Sequence, residues 1–256
     1  MKFQLTTDSK INDFITIFKN IKNLVALVNL IIKDDSIYIQ GMDSSHICLL
    51  EILLKDSWFD LFESDNVVLG INSEMLYNVV EKWKPGYNIT VNSDDYDYLT
   101  ICFEADDMLT KTYNIQLIDI DSETLNVPEE DYDLDLVIKS NVFKDIISEI
   151  STFDDTINFL CTLKKINLKA DGDMGNVDIE IKDNDIIEYA AALEDGDLVD
   201  IDYGVINLKE ACDFYKLNTE VNVHISNDKP IKINYNIMSC ENSYVRLFVA
   251  PKIKDE

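Results

Sequence analysis

Residues 37–52 read IYIQGMDSSHICLLEI, and residues 166–181 read INLKADGDMGNVDIEI. Laid together at a shift of 129, both alternate apolar and polar residues, break at a polar stretch and resume the alternation. That pattern is a strand, a turn and a strand, written twice. The same shift carries Phe14, Ile17, Phe18 and Ile21 onto Phe143, Ile146, Ile147 and Ile150. Each set is an i, i+3, i+4, i+7 stripe, which predicts a helix in each copy. Near a shift of 134, Ile89, Val91, Asp94 and Leu99 meet Val223, Ile225, Asp228 and Ile233. The small drift is what loop insertions produce. The 256 residues therefore read as two copies of one unit.

Helical periodicity is confined to about 8–23, 72–84, 139–151 and 207–218. A capping residue is expected before each, as at Asn72–Ser73 and Ser140–Asn141. The segments KFQLT, SIYIQ, NITV, LTICF, INLK, VDIEI, VNVHI and IKINY alternate as strands do. The fold class expected is α+β, two duplicated domains with two helices packed on β-sheets in each. LIDIDSETLNVPEEDYDLD, residues 117–135, is acidic, contains Pro128 and loses periodicity, so it reads as a linker. The expected division is a first domain over 1–116, a connecting loop over 117–134 and a second domain over 135–256.

Little chemistry is encoded. His46 stands near Asp43, Ser44 and Ser45, which invites a catalytic triad. On an extended segment, however, Ser44 and His46 would lie about 6–7 Å apart on one face, and Ser45 would point the other way. A turn or a surface pocket is the better reading, and no catalytic residue is assigned. The acid pairs Asp119 and Asp121, Asp131, Asp133 and Asp135, and Asp183 and Asp185 could hold Mg²⁺, but among 49 acidic residues such pairs arise freely. No metal site or cofactor is expected. No phosphate-cradling glycine loop occurs, and GDMG at 172–175 reads as a hairpin turn. Cys48, Cys102, Cys161, Cys212 and Cys240 are an odd set without a C-x-x-C, which predicts buried free thiols. The longest apolar run, near 24–32, is too short to span a membrane, and MKFQLTTDSK lacks a signal-like stretch. A soluble intracellular protein without a membrane partner is the expectation.

The net charge of −27 argues against a surface that binds nucleic acid tightly, and Arg246 is the sole arginine. The charge is unevenly spread. The four helical segments hold nine basic and eight acidic residues, against 13 basic and 41 acidic elsewhere. They form a near-neutral island, which on charge alone reads as ordinary helix surface with mixed charges before it reads as a surface where repulsion of a polyanion is reduced.

Several stretches resemble the eukaryotic-type DNA sliding clamps, the proliferating cell nuclear antigen family, in order and along the whole chain. MDSSHICLLEILL resembles a first-domain segment of that family, and NIQLIDIDSETLNVPEEDY its interdomain connecting loop. KADGDMGNVDIEI resembles the hairpin near its subunit interface, and FVAPKIKDE its C-terminal tail. The resemblance implies a ring-forming DNA clamp fold, a homotrimer without enzymatic activity that encircles double-stranded DNA and confers processivity on a DNA polymerase. A separate clamp loader would open the ring. Subunits would pair through residues around 108–116 of one chain and 175–183 of the next. The site of action would be the nucleus if the source is eukaryotic, or a viral replication site if it is viral. Two rival readings are a monomeric viral-type processivity factor binding DNA through one face, and a metal-dependent nuclease.

The family's partner pocket carries over onto Met42, His46, Ile47 and Leu49, then Leu125, Val127, Pro128 and Tyr132, then Pro230, Phe248, Val249, Ala250, Pro251 and Ile253. The peptide it would accept is Q-x-x-[LIM]-x-x-[FY]-[FY], a short helical turn with apolar anchors. The channel lysines implied are Lys10, Lys19, Lys22, Lys82, Lys84, Lys144, Lys209 and Lys216. Several positions that are basic in the family carry Asn78, Glu81, Asp145, Ser148 and Leu217 here, and the family's modifiable lysine aligns with Leu163.

Overall fold

The structure is a computed structural model and describes residues 1–94, 97–121, 123–182, 184–238 and 240–253. The chain divides into two compact units. Unit 1 comprises Met1–Ser44, Leu50–Leu125 and Asn236–Val245, and unit 2 comprises Ser45–Leu49, Asn126–Tyr235 and Arg246–Glu256.

The first half of the chain runs β1 (Lys2–Leu5), α1 (Asp8–Leu24), β2 (Leu27–Lys33), β3 (Ser36–Met42), β4 (Cys48–Lys55), a 3-10 turn (Asp56–Trp58), β5 (Leu61–Glu63), β6 (Val68–Asn72), α2 (Ser73–Val80), β7 (Asn88–Asn92), β8 (Tyr98–Glu104) and β9 (Lys111–Gln116). The second half runs β10 (Leu134–Lys139), α3 (Ser140–Ile150), β11 (Thr156–Cys161), β12 (Ile166–Gly172), β13 (Gly175–Ile181), β14 (Ile186–Ala191), β15 (Val199–Gly204), α4 (Val205–Cys212), a 3-10 turn (Asp213–Leu217), β16 (Glu220–Ile225), β17 (Ile231–Asn236) and β18 (Tyr244–Val249). The order of strands and α-helices is the same in both, with nine strands and two helices each among the described residues, while the 3-10 turn follows β4 in the first half and α4 in the second. Sheet order repeats too. Strands β5-β1-β7-β8-β9 and β4-β3-β2-β6 have the counterparts β14-β10-β16-β17-β18 and β13-β12-β11-β15. The duplication read from the sequence is thus a duplication of topology.

Alternation explains the strands. In β7 and β8, Ile89, Val91, Leu99, Ile101 and Phe103 are buried while their neighbours are not. The stripe of α1 buries Ile11, Phe14, Ile17, Phe18 and Ile21. Around Phe14 an aromatic cluster forms, with ring centroids 5.9 Å to Phe3, 4.8 Å to Phe18 and 6.4 Å to Trp58. It fixes α1 to β1 and to the 3-10 turn. The equivalent stripe of α3 buries Phe143, Ile147 and Ile150.

The helix ends differ from expectation. Only Asn72 caps with its side chain, accepting from the Met75 amide at 2.8 Å. The residues before α1, α3 and α4 are Thr7, Lys139 and Gly204, without a side-chain cap. Ser140 instead donates to the carbonyls of Tyr215 (3.0 Å) and Asn218, tying the start of α3 to the end of the second 3-10 turn. Helix α4 begins before Asn207, at Val205, whose amide reaches the Asp155 carbonyl at 2.9 Å.

After each unit's last strand the chain crosses β6 or β15 in the same way. The Ile118 amide donates to the Gly70 carbonyl at 2.9 Å in unit 1, and the Lys252 amide to the Asp202 carbonyl at 2.7 Å in unit 2. At Gly70 the approach is close, and a Cβ would sit 2.0 Å from the Ile118 oxygen.

The thiols are only partly as expected. All five cysteines are free, and Cys48, Cys161 and Cys212 are buried, but Cys102 and Cys240 are partly exposed. No helix among the described residues is long and apolar enough to cross a membrane.

Burial pushes the half-buried Asp13 of α1 from an ordinary value of 3.8 to about 6. Its carboxyl binds a proton more tightly when folded than when unfolded. It therefore opposes folding above about pH 6, and that penalty fades as pH falls toward about 4. Asp13→Asn should raise the thermal midpoint at about pH 7.5 and leave it unchanged near about pH 4. Equal midpoints at the higher pH would show that the carboxyl is not desolvated.

Candidate functional site

Most of the pocket positions inferred from the sequence lie in unit 2. There the 45–49 segment is joined to the end of β18 by the Ala250 amide, which donates to the Ile47 carbonyl at 2.9 Å. Ile47 presents an apolar side chain that is 40% exposed. Along β18, Val245, Leu247 and Val249 turn inward while Arg246 and Phe248 are half-buried on the other face. Val249 is 0% exposed. Strand alternation turns its side chain toward the core, and Phe248 takes the outward position. Leu49, Val127, Ala250 and Pro251 are half-buried, and Pro128, Pro230 and Ile253 are exposed.

Tyr132 is the best-held member. Its hydroxyl donates to the Pro230 carbonyl at 3.3 Å, and its ring lies 5.6 Å from that of His224. Lys229 Nζ stands 5.5 Å from the Tyr132 ring, 3.3 Å from Glu130 and 2.6 Å from the Asp131 carbonyl. Burial first, and the charge of Glu130 second, push the Tyr132 phenol up to about 12, so it stays a donor at neutral pH. The tail is fastened by pairing of Pro251 with Tyr203 and by Lys252 Nζ, 2.8 Å from Asp155. Lys254, Asp255 and Glu256 lie outside the described residues. Met42 and Leu125 belong to unit 1. Met42 ends β3, and Leu125 is held by Gln40, whose side-chain amide accepts from the Leu125 amide at 2.7 Å and donates to its carbonyl at 2.9 Å.

His46 sits in the turn at 43–47 with a φ of +57°, exposed to solvent. The segment is a turn there, not the extended strand assumed for the Ser44–His46 spacing. Of the acid pairs, Asp183 lies outside the described residues.

The lysines fall into two groups. Several already have local partners. Lys10 binds Asp60 at 2.6 Å, and Lys82 binds Glu81 at 2.8 Å. Lys144 binds Asp213 at 3.0 Å and stands 4.1 Å from the Tyr215 ring. Lys22 stands 4.4 Å from the Tyr77 ring, and Lys209 donates to Ser151 Oγ at 3.2 Å. The Lys82 hydrogen bond is the largest influence holding the Glu81 carboxyl below the usual range. Lys19, Lys84 and Lys216 are exposed, with Lys216 5.8 Å from the Tyr215 ring. Lys82 and Lys84 are not on a helix as expected. Helix α2 ends at Val80, where the Lys82 and Trp83 amides tighten onto Val79 and Val80 ahead of Pro85 and Gly86. Leu217, read as a channel position, is 1% exposed and belongs to the core. Asn78, Glu81, Asp145 and Ser148 are exposed.

The two stretches that the resemblance assigns to subunit pairing, around 108–116 and 175–183, contain strands β9 and β13. Strands β9 and β13 each end their sheet, so each offers one edge without a partner strand among the described residues. Beside β9 stand Met108 and Leu109, the latter 78% exposed. Beside β13 stand Phe153, whose ring lies 3.8 Å from where a Cβ on Gly175 would be, and Met174, 99% exposed at the hairpin tip. The signal was present, since methionine and leucine in polar turns are out of place without something to cover them.

The chain was compared with known proteins. The model for proliferating cell nuclear antigen, N-terminal domain, matches residues 9–124, and that for proliferating cell nuclear antigen, C-terminal domain, matches residues 126–252. A similar protein is the proliferating cell nuclear antigen of Chaetomium thermophilum, 28% identical over 242 residues that cover 92% of this chain and 93% of that one. With both family domains matched in order, and the duplicated α+β topology in place, the chain belongs to the proliferating cell nuclear antigen family of DNA sliding clamps.

Proposed function

We propose that this chain is a non-catalytic processivity factor that closes head to tail into a homotrimeric ring around duplex DNA. The free edges of β9 and β13 carry that reading. They are different strands, so their pairing between copies is heterologous and propagates until a ring closes. The apolar residues beside each edge, Met108 and Leu109 at one and Phe153 and Met174 at the other, would be covered in the same step. A ring holds DNA by enclosure, which suits a protein of net charge −27 whose helical lysines are largely paired already. Weak phosphate contacts from Lys19, Lys84, Lys209 and Lys216 permit sliding. A DNA polymerase, the loader and other partners dock through a Q-x-x-[LIM]-x-x-[FY]-[FY] peptide seated on Ile47, Tyr132, Pro230, Phe248, Pro251 and Ile253, and the acidic connector favours basic flanks on such peptides. The chain would act at replication sites, in the nucleus if its source is eukaryotic and at a viral replication site if it is viral.

Three outcomes test this. The solution mass should be about three times the monomer mass of 29.4 kDa and fall on dilution. A particle that stays at monomer mass would replace the ring with binding through one face. Ile47→Ala combined with Phe248→Ala should weaken a Q-x-x-[LIM]-x-x-[FY]-[FY] peptide at least about tenfold, or about 1.4 kcal/mol, without changing that mass. By contrast, Val249→Ala should cost about 2 kcal/mol of stability, and unchanged peptide affinity in the double variant would show that the groove is misplaced. Lys19→Glu should reduce polymerase stimulation on primed circular DNA, and full stimulation would remove this lysine from the DNA-facing surface.

A further inference from the structure

The connector is not loosely draped over unit 1. It follows one transverse row of a sheet. Gly70 of β6 is the register partner of Asn29 of β2, and Asn29 is the register partner of Gln40 of β3. Residues in register across antiparallel strands share a face. Each member of this row bonds a connector residue. The Gly70 carbonyl accepts from the Ile118 amide at 2.9 Å, and only a residue without a Cβ leaves room for the Ile118 oxygen there. The Asn29 side chain donates to the Ile120 carbonyl at 3.2 Å. The Gln40 side chain pairs with both backbone groups of Leu125, at 2.7 and 2.9 Å.

That last pairing is the strongest of the three. A primary amide that donates to a carbonyl and accepts from the amide of the same residue copies the exchange between paired strands. Its orientation is set from beneath. Gln40 Nε2 also donates to the Tyr38 hydroxyl oxygen at 3.0 Å, and the Tyr38 hydroxyl donates to Glu51 Oε1 at 2.9 Å. Burial first, and Glu51 second, push the Tyr38 phenol far above its ordinary value, so it remains a donor. The chain of bonds has one direction, and it fixes which end of the Gln40 amide faces the Leu125 carbonyl.

We propose that the Gly70–Asn29–Gln40 row is the seat of the connector, and that Gln40 is the positioning residue from which the connector wall of the docking groove starts. This rests on the docking reading above. Leu125 is the last connector residue of unit 1, and the next residues along the chain include Val127, Pro128 and Tyr132. Fixing Leu125 removes ordering that a bound peptide would otherwise have to impose on them.

The test separates the latch from the docking. In the full-length protein, amide hydrogen exchange is followed at Leu125 and at Ile118 in wild type, Gln40→Ala and Tyr38→Phe. Gln40→Ala should speed exchange at Leu125 at least about tenfold while Ile118 stays protected, with Tyr38→Phe intermediate. The same variants are titrated with a Q-x-x-[LIM]-x-x-[FY]-[FY] peptide, and Gln40→Ala should weaken it about three- to tenfold, mainly through the on-rate. Equal exchange at Leu125 in wild type and Gln40→Ala would overturn the latch. Faster exchange with unchanged affinity would overturn the positioning role. A wild type that does not bind the peptide at all would sink the docking reading, and the latch would then stand or fall on the exchange data alone. Gly70→Ala is the complementary variant and should release Ile118 instead, because its Cβ occupies the space of the Ile118 oxygen.

Discussion

Within each unit the helical surface depends on the sealing of its long helix's stripe, that of α1 or α3, against the unit's own core. Phe14 and Phe143 occupy equivalent places, both buried, and the aromatic rings around Phe14 leave α1 no freedom to roll. Rotating a helix to present a different face would expose a phenylalanine and two or three isoleucines, several kcal/mol of apolar surface. The outward residues are therefore a consequence of the inward ones. A lysine that is one position off the polar face cannot be recruited by a slight rotation, and Leu217 shows the converse, a sequence position that the core has claimed.

Electrostatics then works within that fixed frame. The acidic excess lies outside the helical segments, and on them lysine and acid are placed side by side. The exposed pairs add little stability, but they leave the surface locally neutral. A surface of that kind would neither grip nor expel a polyanion, with exposed lysines such as Lys19 and Lys84 setting the residual attraction. Tyr77 and Tyr215 contribute in the same sense, holding lysine ammonium groups 4.4 and 4.1 Å from their rings.

Apolar periodicity made the duplication, the four helices and the main strands legible, because burial on one face repeats with period 3.6 or 2 whatever the partner. Helix ends were less legible. Ser140 looks like a cap in sequence, yet its hydroxyl serves carbonyls that lie 75 and 78 residues further on. The resemblance alone assigns Val249 to the groove, and strand parity, which needs the register of β18, turns its side chain inside. The seat of the connector was invisible, since Asn29, Gln40 and Gly70 become neighbours only once β2, β3 and β6 have paired. The edges at β9 and β13 were half-visible: the strands could be found, but that nothing pairs with one side of each is a property of the sheet.

The matching bonds from Ile118 to Gly70 and from Lys252 to Asp202 bear on how the chain came to have a linker. Each is made shortly after a unit's last strand, on equivalent strands, so this contact belongs to the unit itself. The first residues of the connector thus make the same contact that the second copy makes at the matching strand, and the interdomain loop begins as ordered structure. Tandem duplication of one unit accounts for that shared contact.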